Sequence, residues 1–236
     1  MPACLKAMHS LAFKDRSLQN VPRGSPPMYF PNGFKLADAK VCAALVDIAY
    51  DQYNQWQKAG NPPSSNFNWD KPSNGDSCSA PLFSTFIYYD IFGYKYVATE
   101  PFGFVAVDGN GNAYLAFRGT MPTAADGYAD ATIDQTDYEI VANYGLVQEG
   151  YYFIYQGFDS SISQAIANLS SSKPFQRFFL TGHSLGCGLS TLAVPDVLAN
   201  TLRLAGKNSS DALQFREPAR RGRHDRADPE IPGEVE

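Results

Sequence analysis

Phe178-Phe179-Leu180-Thr181-Gly182-His183-Ser184-Leu185-Gly186 sets an apolar run directly before a serine flanked by glycines. The run, preceded by Lys173-Pro174, predicts a buried strand. Leu185 to Asn200, with small residues at Gly186, Gly188 and Ala193, predicts a helix packed closely on a sheet. A serine on so sharp a strand-to-helix turn has a strained backbone, and Gly182 and Gly186 remove the Cβ atoms that would collide there. The turn lifts the hydroxyl above the strand end. It also puts the Leu185 amide at a helix N-terminus, where it can face a developing oxyanion. Ser184 is therefore a candidate nucleophile and Leu185 a candidate donor of half an oxyanion hole. The alternative is a serine that only caps the helix.

A second element lies about sixty residues earlier. Gly103-Phe104-Val105-Ala106-Val107 and Ala113-Tyr114-Leu115-Ala116-Phe117 flank Asp108-Gly109-Asn110-Gly111, which predicts a β-hairpin. Its second strand ends in Arg118-Gly119-Thr120. Gly119 lets the chain turn, and Thr120 offers an amide and a hydroxyl to an anionic oxygen, so Thr120 is the candidate for the other half of the hole. The plainer alternative is an ordinary strand end with an exposed arginine.

Taken together, Ala116-Phe117-Arg118-Gly119-Thr120, Val147-Gln148-Glu149-Gly150-Tyr151 with Tyr155 beyond, and Thr181-Gly182-His183-Ser184-Leu185-Gly186 occur in the order and at the spacing of a known family. The chain resembles the fungal-type, or class 3, triacylglycerol lipases of the α/β-hydrolase superfamily, from about Lys35 to Asn200. The resemblance implies an α/β three-layer sandwich with a mostly parallel central sheet, a catalytic serine at Ser184, and an oxyanion hole from Thr120 and Leu185. It also implies a lid after the first motif and hydrolysis of acylglycerol-type esters. Two departures are a glutamine at Gln148 where the family usually has histidine, and Cys187 where it usually has glycine.

The chain has 236 residues, 44% hydrophobic and only 18% charged, enough for one domain with a sizeable core. A net charge of −5 argues against nucleic acid as a partner. No apolar run is long enough to cross a bilayer. Met1 to Asn20 lacks the continuous apolar stretch of a secretory signal, so a cytoplasmic location is the default expectation, with secretion open as in many members of the family. The four cysteines, at 4, 42, 78 and 187, show no metal-ligand spacing. Cys42 and Cys78 could pair or stay as free thiols. Oligomeric state is not legible.

Residues 1–34, with Pro22, Pro26, Pro27 and Pro31, are expected to be a poorly ordered leader. Residues 35–202 form the lipase-like domain, read as incomplete. It begins with a helix from about Lys35 to Ala59, followed by a Pro-rich loop, strands at Phe86–Tyr89 and Tyr94–Thr99, the hairpin, and a helix from Tyr151 to Leu169. Between Arg118 and Lys173 no Lys or Arg occurs, whereas Asp126, Asp130, Asp134, Asp137, Glu139, Glu149 and Asp159 do. If these rim the site, neutral or short-chain esters, met at a lipid–water interface, suit it better than anionic surfaces. The alternative is a solvated acidic face. Met121, Tyr128, Ile133 and Tyr138 could line a lid, though without a clean period.

A nucleophilic serine needs a base and an orienting carboxylate, which follow it in the order Asp, His in α/β-hydrolases. Asp211 and His224 are the only candidates, and poor ones, because one strand-plus-crossover unit takes about thirty residues. Residues 203–236 hold six of the ten arginines and 14 charged residues among 34, which reads as a disordered tail. The sequence thus carries two expectations. One is a carboxylic ester hydrolase working through a Ser184 acyl-enzyme, a reaction that requires no metal or organic cofactor. The other is a crippled, lipase-like acyl-binding protein.

Overall fold

The computed structural model describes residues 35–71, 78–89, 92–122, 134–171, 175–201 and 213–215. Helix α1 covers Leu36–Lys58, one residue inside each predicted boundary. Its stop is chemical: Gly60 at φ +83° and Asn61 at φ +56° turn the chain left-handed, and their amides donate to the Gln57 and Trp56 carbonyls.

Five strands make the main sheet: β1 (Leu82–Tyr89), β2 (Lys95–Val107), β3 (Asn112–Phe117), β6 (Arg177–Gly182) and β7 (Leu213–Phe215), in the order β1-β2-β3-β6-β7. The β1–β2–β3 meander is antiparallel, and β3, β6 and β7 run parallel, so the sheet is mixed. Strands β4 (Gln135–Asp137) and β5 (Leu146–Gln148) form a separate small ribbon. The predicted hairpin turn is closed by Asp108, whose Oδ1 accepts from the Asn110 and Asn112 amides at 2.9 and 2.8 Å.

Alternation along the strands builds three layers. Phe104, Ala106, Tyr114, Ala116 and Phe179 face α1 through Leu45, Ile48 and Ala49. Val105, Ala113, Leu115, Phe117, Phe178 and Leu180 face the opposite layer, made by α2 (Glu149–Gln156), α3 (Asp159–Ser170) and α4 (Leu185–Asp196). Helix α1 lies along β6. At its start Asp38 pairs with Arg177 at 2.6 Å, and twelve residues on Tyr50 reaches His183. Twelve helical residues rise roughly 18 Å, close to the roughly 20 Å spanned by the six strand steps from Arg177 to His183.

Three local expectations change. The strands expected at Tyr94–Thr99 and Gly103–Val107 are one strand, β2, which passes through Pro101. Leu82 pairs with Gly103 and Phe83 with Pro101, so Phe102 is an extra residue and the strand carries a β-bulge there. The bulge accommodates Pro101 within the continuous strand. The single helix expected from Tyr151 to Leu169 is two, α2 and α3, divided at Gly157-Phe158. Gly157 presses on β1 so closely that a Cβ would lie 2.2 Å from Ser84 Oγ. The helix expected to run from Leu185 to Asn200 is α-helical only as far as Asp196, just past Pro195, and continues as a π-turn over Val197–Thr201. Cys42 and Cys78 are not joined by a disulfide.

Candidate active site

Strand β6 ends at Gly182, and the chain enters α4 through Ser184 at φ +53° and ψ −121°. Apart from this serine, the positive-φ non-glycine residues among those described are Asn61 and Asn143, a residue type that tolerates such angles. For a serine the conformation costs on the order of 1–3 kcal/mol and persists only where its surroundings enforce it. Those surroundings are visible. The Gly186 amide donates to the His183 carbonyl at 2.9 Å and the Cys187 amide to the Ser184 carbonyl at 2.8 Å. A Cβ on Gly182 would lie 2.1 Å from the Gly186 carbonyl oxygen, and one on Gly186 would lie 2.5 Å from that of Arg118. Both glycines are required by close backbone approach, as the sequence reading supposed. The Ser184 side chain is exposed, whereas Leu185 anchors the turn in the core. The Leu185 amide is the first of α4, a position with no intrahelical acceptor.

The Arg118-Gly119-Thr120 loop lies against this turn. A Cβ on Gly119 would meet the Tyr50 hydroxyl at 2.3 Å, the His183 carbonyl oxygen at 2.5 Å and His183 Nδ1 at 3.1 Å. Thr120 follows, half-buried. Arg118 is not the exposed arginine of the plainer alternative. It is fully buried: Nε donates to the Pro101 carbonyl, one terminal nitrogen to the Gly119 carbonyl and the other to Glu100 Oε2, each at 2.9 Å. Its guanidinium also sits 4.4 Å from the ring centre of Tyr53 and 4.2 Å from that of Phe102. A buried charge is tolerable only with such partners, and these fix the strand end and the Gly119 carbonyl together.

The third motif supports the turn from behind. Gln148 caps α2 by accepting from the Tyr151 amide, the work an N-cap side chain does. The Tyr151 ring packs where a Cβ on Gly188 would lie, 2.3 Å away, and the Tyr155 hydroxyl donates to Asp196 Oδ2 at 2.7 Å. Tyr138, grouped with a lid by the sequence reading, is buried instead, and its hydroxyl donates to the Leu192 carbonyl at 2.6 Å. Tyr128 and Ile133, like most of the expected lid, lie outside the described residues.

Residues 114–219 match the lipase (class 3) family. This stretch is similar to class 3 lipase sequence. The matched segment starts in β3 and takes in the Arg118 loop, the Gln148 cap and the Ser184 turn. Solved structures similar to the chain include a Rhizomucor miehei lipase–propeptide complex (17% identity, TM-score 0.47, covering 77% of this chain and 52% of that one). Another is a lipase from Rhizopus microsporus var. chinensis (20% identity, TM-score 0.44, covering 77% and 60%). The chain thus spans between half and three fifths of the length of these two. No curated protein matches it.

His183 is the one histidine among the described residues, and its Nδ1 shares a 2.9 Å hydrogen bond with the Tyr50 hydroxyl. Asp211 and His224 lie outside the described residues. Asp196 is buried and engaged by Tyr155 and by Asn200 Nδ2 at 2.9 Å. Burial pushes the Cys187 thiol up, against the opposing backbone hydrogen bond from Ser184, and its Sγ donates to the Gly182 carbonyl at 3.0 Å. Among the described residues no cluster of three or more His, Cys, Asp or Glu side chains could hold a metal. Sequence reasoning missed Tyr50 and Glu100. Each acts through a contact between residues far apart in the chain, and neither stands in a local pattern.

Proposed function

We propose that the chain is a carboxylic ester hydrolase in which Ser184 Oγ attacks the acyl carbonyl of an acylglycerol-type or short-chain neutral ester. The Thr120 and Leu185 amides receive the oxyanion. The serine proton passes to a base, the alcohol leaves with a proton, and water then releases the acid from the acyl-enzyme. The observation that carries the reading is the backbone of Ser184: a left-handed serine at a strand end, braced by three glycine-enforced contacts, is strain with no evident structural use. A serine serving only as a helix cap would need none of it, and no side-chain capping bond accompanies Ser184. The match of residues 114–219 to the lipase (class 3) family supports the ester as substrate. Asp211 and His224 stay as the sequence's candidates for carboxylate and base.

The test is hydrolysis of p-nitrophenyl butyrate by the full chain. Ser184→Ala is expected to lower turnover by on the order of 10³-fold or more. Equal turnover by parent and variant removes Ser184 from the mechanism.

A further inference from the structure

The pairing register puts an aromatic hairpin over the same end of the sheet as the Ser184 turn. Phe117 and Gly182 are paired where β3 and β6 end, and Gly103 of β2 pairs with Phe117. Lys95 to Phe102 therefore run beyond that end, and β1 pairs with them out to Tyr89 opposite Lys95. Eight residues of strand amount to an overhang of roughly 25 Å. Its base is the bulge at Phe102, where Arg118 bonds both Glu100 and Pro101, so the side chain that fixes the Gly119 carbonyl also fixes the root of the hairpin.

The outer part of this hairpin is apolar and exposed. Phe92 is 79% exposed, Tyr94 66% and Val97 64%, with Ile87, Tyr89 and Tyr96 also open to solvent. Ile87 is paired directly with Val97, and the rings of Tyr88 and Tyr96 stack at 5.4 Å. Single exposed apolar residues are ordinary, but six on the two faces of one two-stranded ribbon are not. A ribbon of two strands is marginal in water unless something covers a face. Among the described residues β1 is the edge of the sheet. Among the described residues from Leu82 to Val97 the one charged side chain is Lys95, so this surface carries little charge.

We propose that the β1–β2 hairpin is a docking surface for an uncharged lipid–water interface, holding the Ser184 end of the sheet toward the lipid. The proposal rests on the ester-hydrolase reading, since a neutral ester of low solubility is what that end of the sheet would have to meet. Tyrosine and phenylalanine suit such a boundary, with apolar ring bodies and, for tyrosine, a hydroxyl left in the polar layer. A surface with a single charge among so many apolar and aromatic side chains suits a neutral boundary and lacks the basic cluster that an anionic one would call for. The open edge of β1 keeps the hairpin at the boundary and out of the hydrocarbon, where unpaired backbone groups are too costly.

The experiment is flotation of the full chain with triolein droplets, in a Ser184→Ala background so that binding is read without turnover. The parent is expected to float. Phe92→Ser with Tyr94→Ser is expected to weaken partition by on the order of 10- to 100-fold, and Val97→Lys alone by about tenfold. The second variant serves should the first not fold, as judged by circular dichroism. Equal flotation of parent and variants overturns the proposal. So does a parent that stays in solution as a dimer dispersed by Val97→Lys, which assigns the face to self-pairing along β1. Hairpin-dependent flotation of a chain whose Ser184 parent hydrolyses no ester upholds the docking surface and removes the catalytic reading.

Discussion

Glu100→Ala tests how the Gly119 loop is held. In the parent, Glu100 Oε2 meets a fully buried Arg118 at 2.9 Å, and the carboxylate itself is nearly out of solvent. Removing it leaves a buried guanidinium that keeps the Pro101 and Gly119 carbonyls and lies against two aromatic rings. Breaking a buried pair costs about 3–5 kcal/mol, and the surviving partners put this case at the lower end, about 3 kcal/mol. For a chain of this size each kcal/mol moves the melting temperature by about 2–4 °C, so a fall of roughly 6–12 °C is expected. Glu100→Ala/Arg118→Met leaves no orphaned charge, so it is expected to cost less than the sum of the two single changes by about 2 kcal/mol. Thermal and urea unfolding, followed by the fluorescence of Trp56 and Trp69, measure all three variants. A Glu100→Ala variant melting within about 1 °C of the parent, or strictly additive costs, would refute the argument that a buried pair fixes this strand end.

Two further outcomes follow from the same geometry. Gly119→Ala places a Cβ 2.5 Å from the His183 carbonyl oxygen, a backbone atom that cannot swing away. The loop must shift by roughly an ångström, and kcat on p-nitrophenyl butyrate is expected to fall by on the order of 10²-fold while KM changes little; an unimpaired variant would separate Gly119 from the chemistry. At Cys187, burial raises the thiol above its ordinary value, so the stability tied to the neutral thiol is complete below about pH 8.5 and is lost as pH rises through the folded-state value. The Tyr114 phenol, raised by burial and then by Asp108, adds to that decline at still higher pH. Melting temperatures at pH 7 and pH 10 should differ less in Cys187→Ala than in the parent, and an equal difference would show that the thiol does not contribute.

The parts legible from sequence are those whose cause is local. The Ser184 turn could be read because Gly182 and Gly186 are demanded within five residues of chain, and α1 because its apolar stripe and Gly60 mark its face and its end. The β2–β3 hairpin was legible through Asp108, which bonds residues two and four positions ahead. What escaped reading depends on partners distant in sequence. Pro101 looks like a strand break until Phe83 and Arg118 are seen to make a bulge of it. Gly157 looks like an ordinary helical residue until Ser84 of β1 comes within reach. Arg118 reads as a surface charge because Glu100, Tyr53 and Phe102, which make its burial tolerable, arrive from other elements. Tyr50 carries no motif at all, yet its hydroxyl meets both the Gly119 loop and His183.

The central claim is that Ser184 is an activated nucleophile, and labelling of the purified 236-residue chain with a fluorophosphonate tests it most directly. Mass spectrometry is expected to find a single adduct, on Ser184, absent from Ser184→Ala. A folded chain that takes up no label, or takes it up at another residue, contradicts the account.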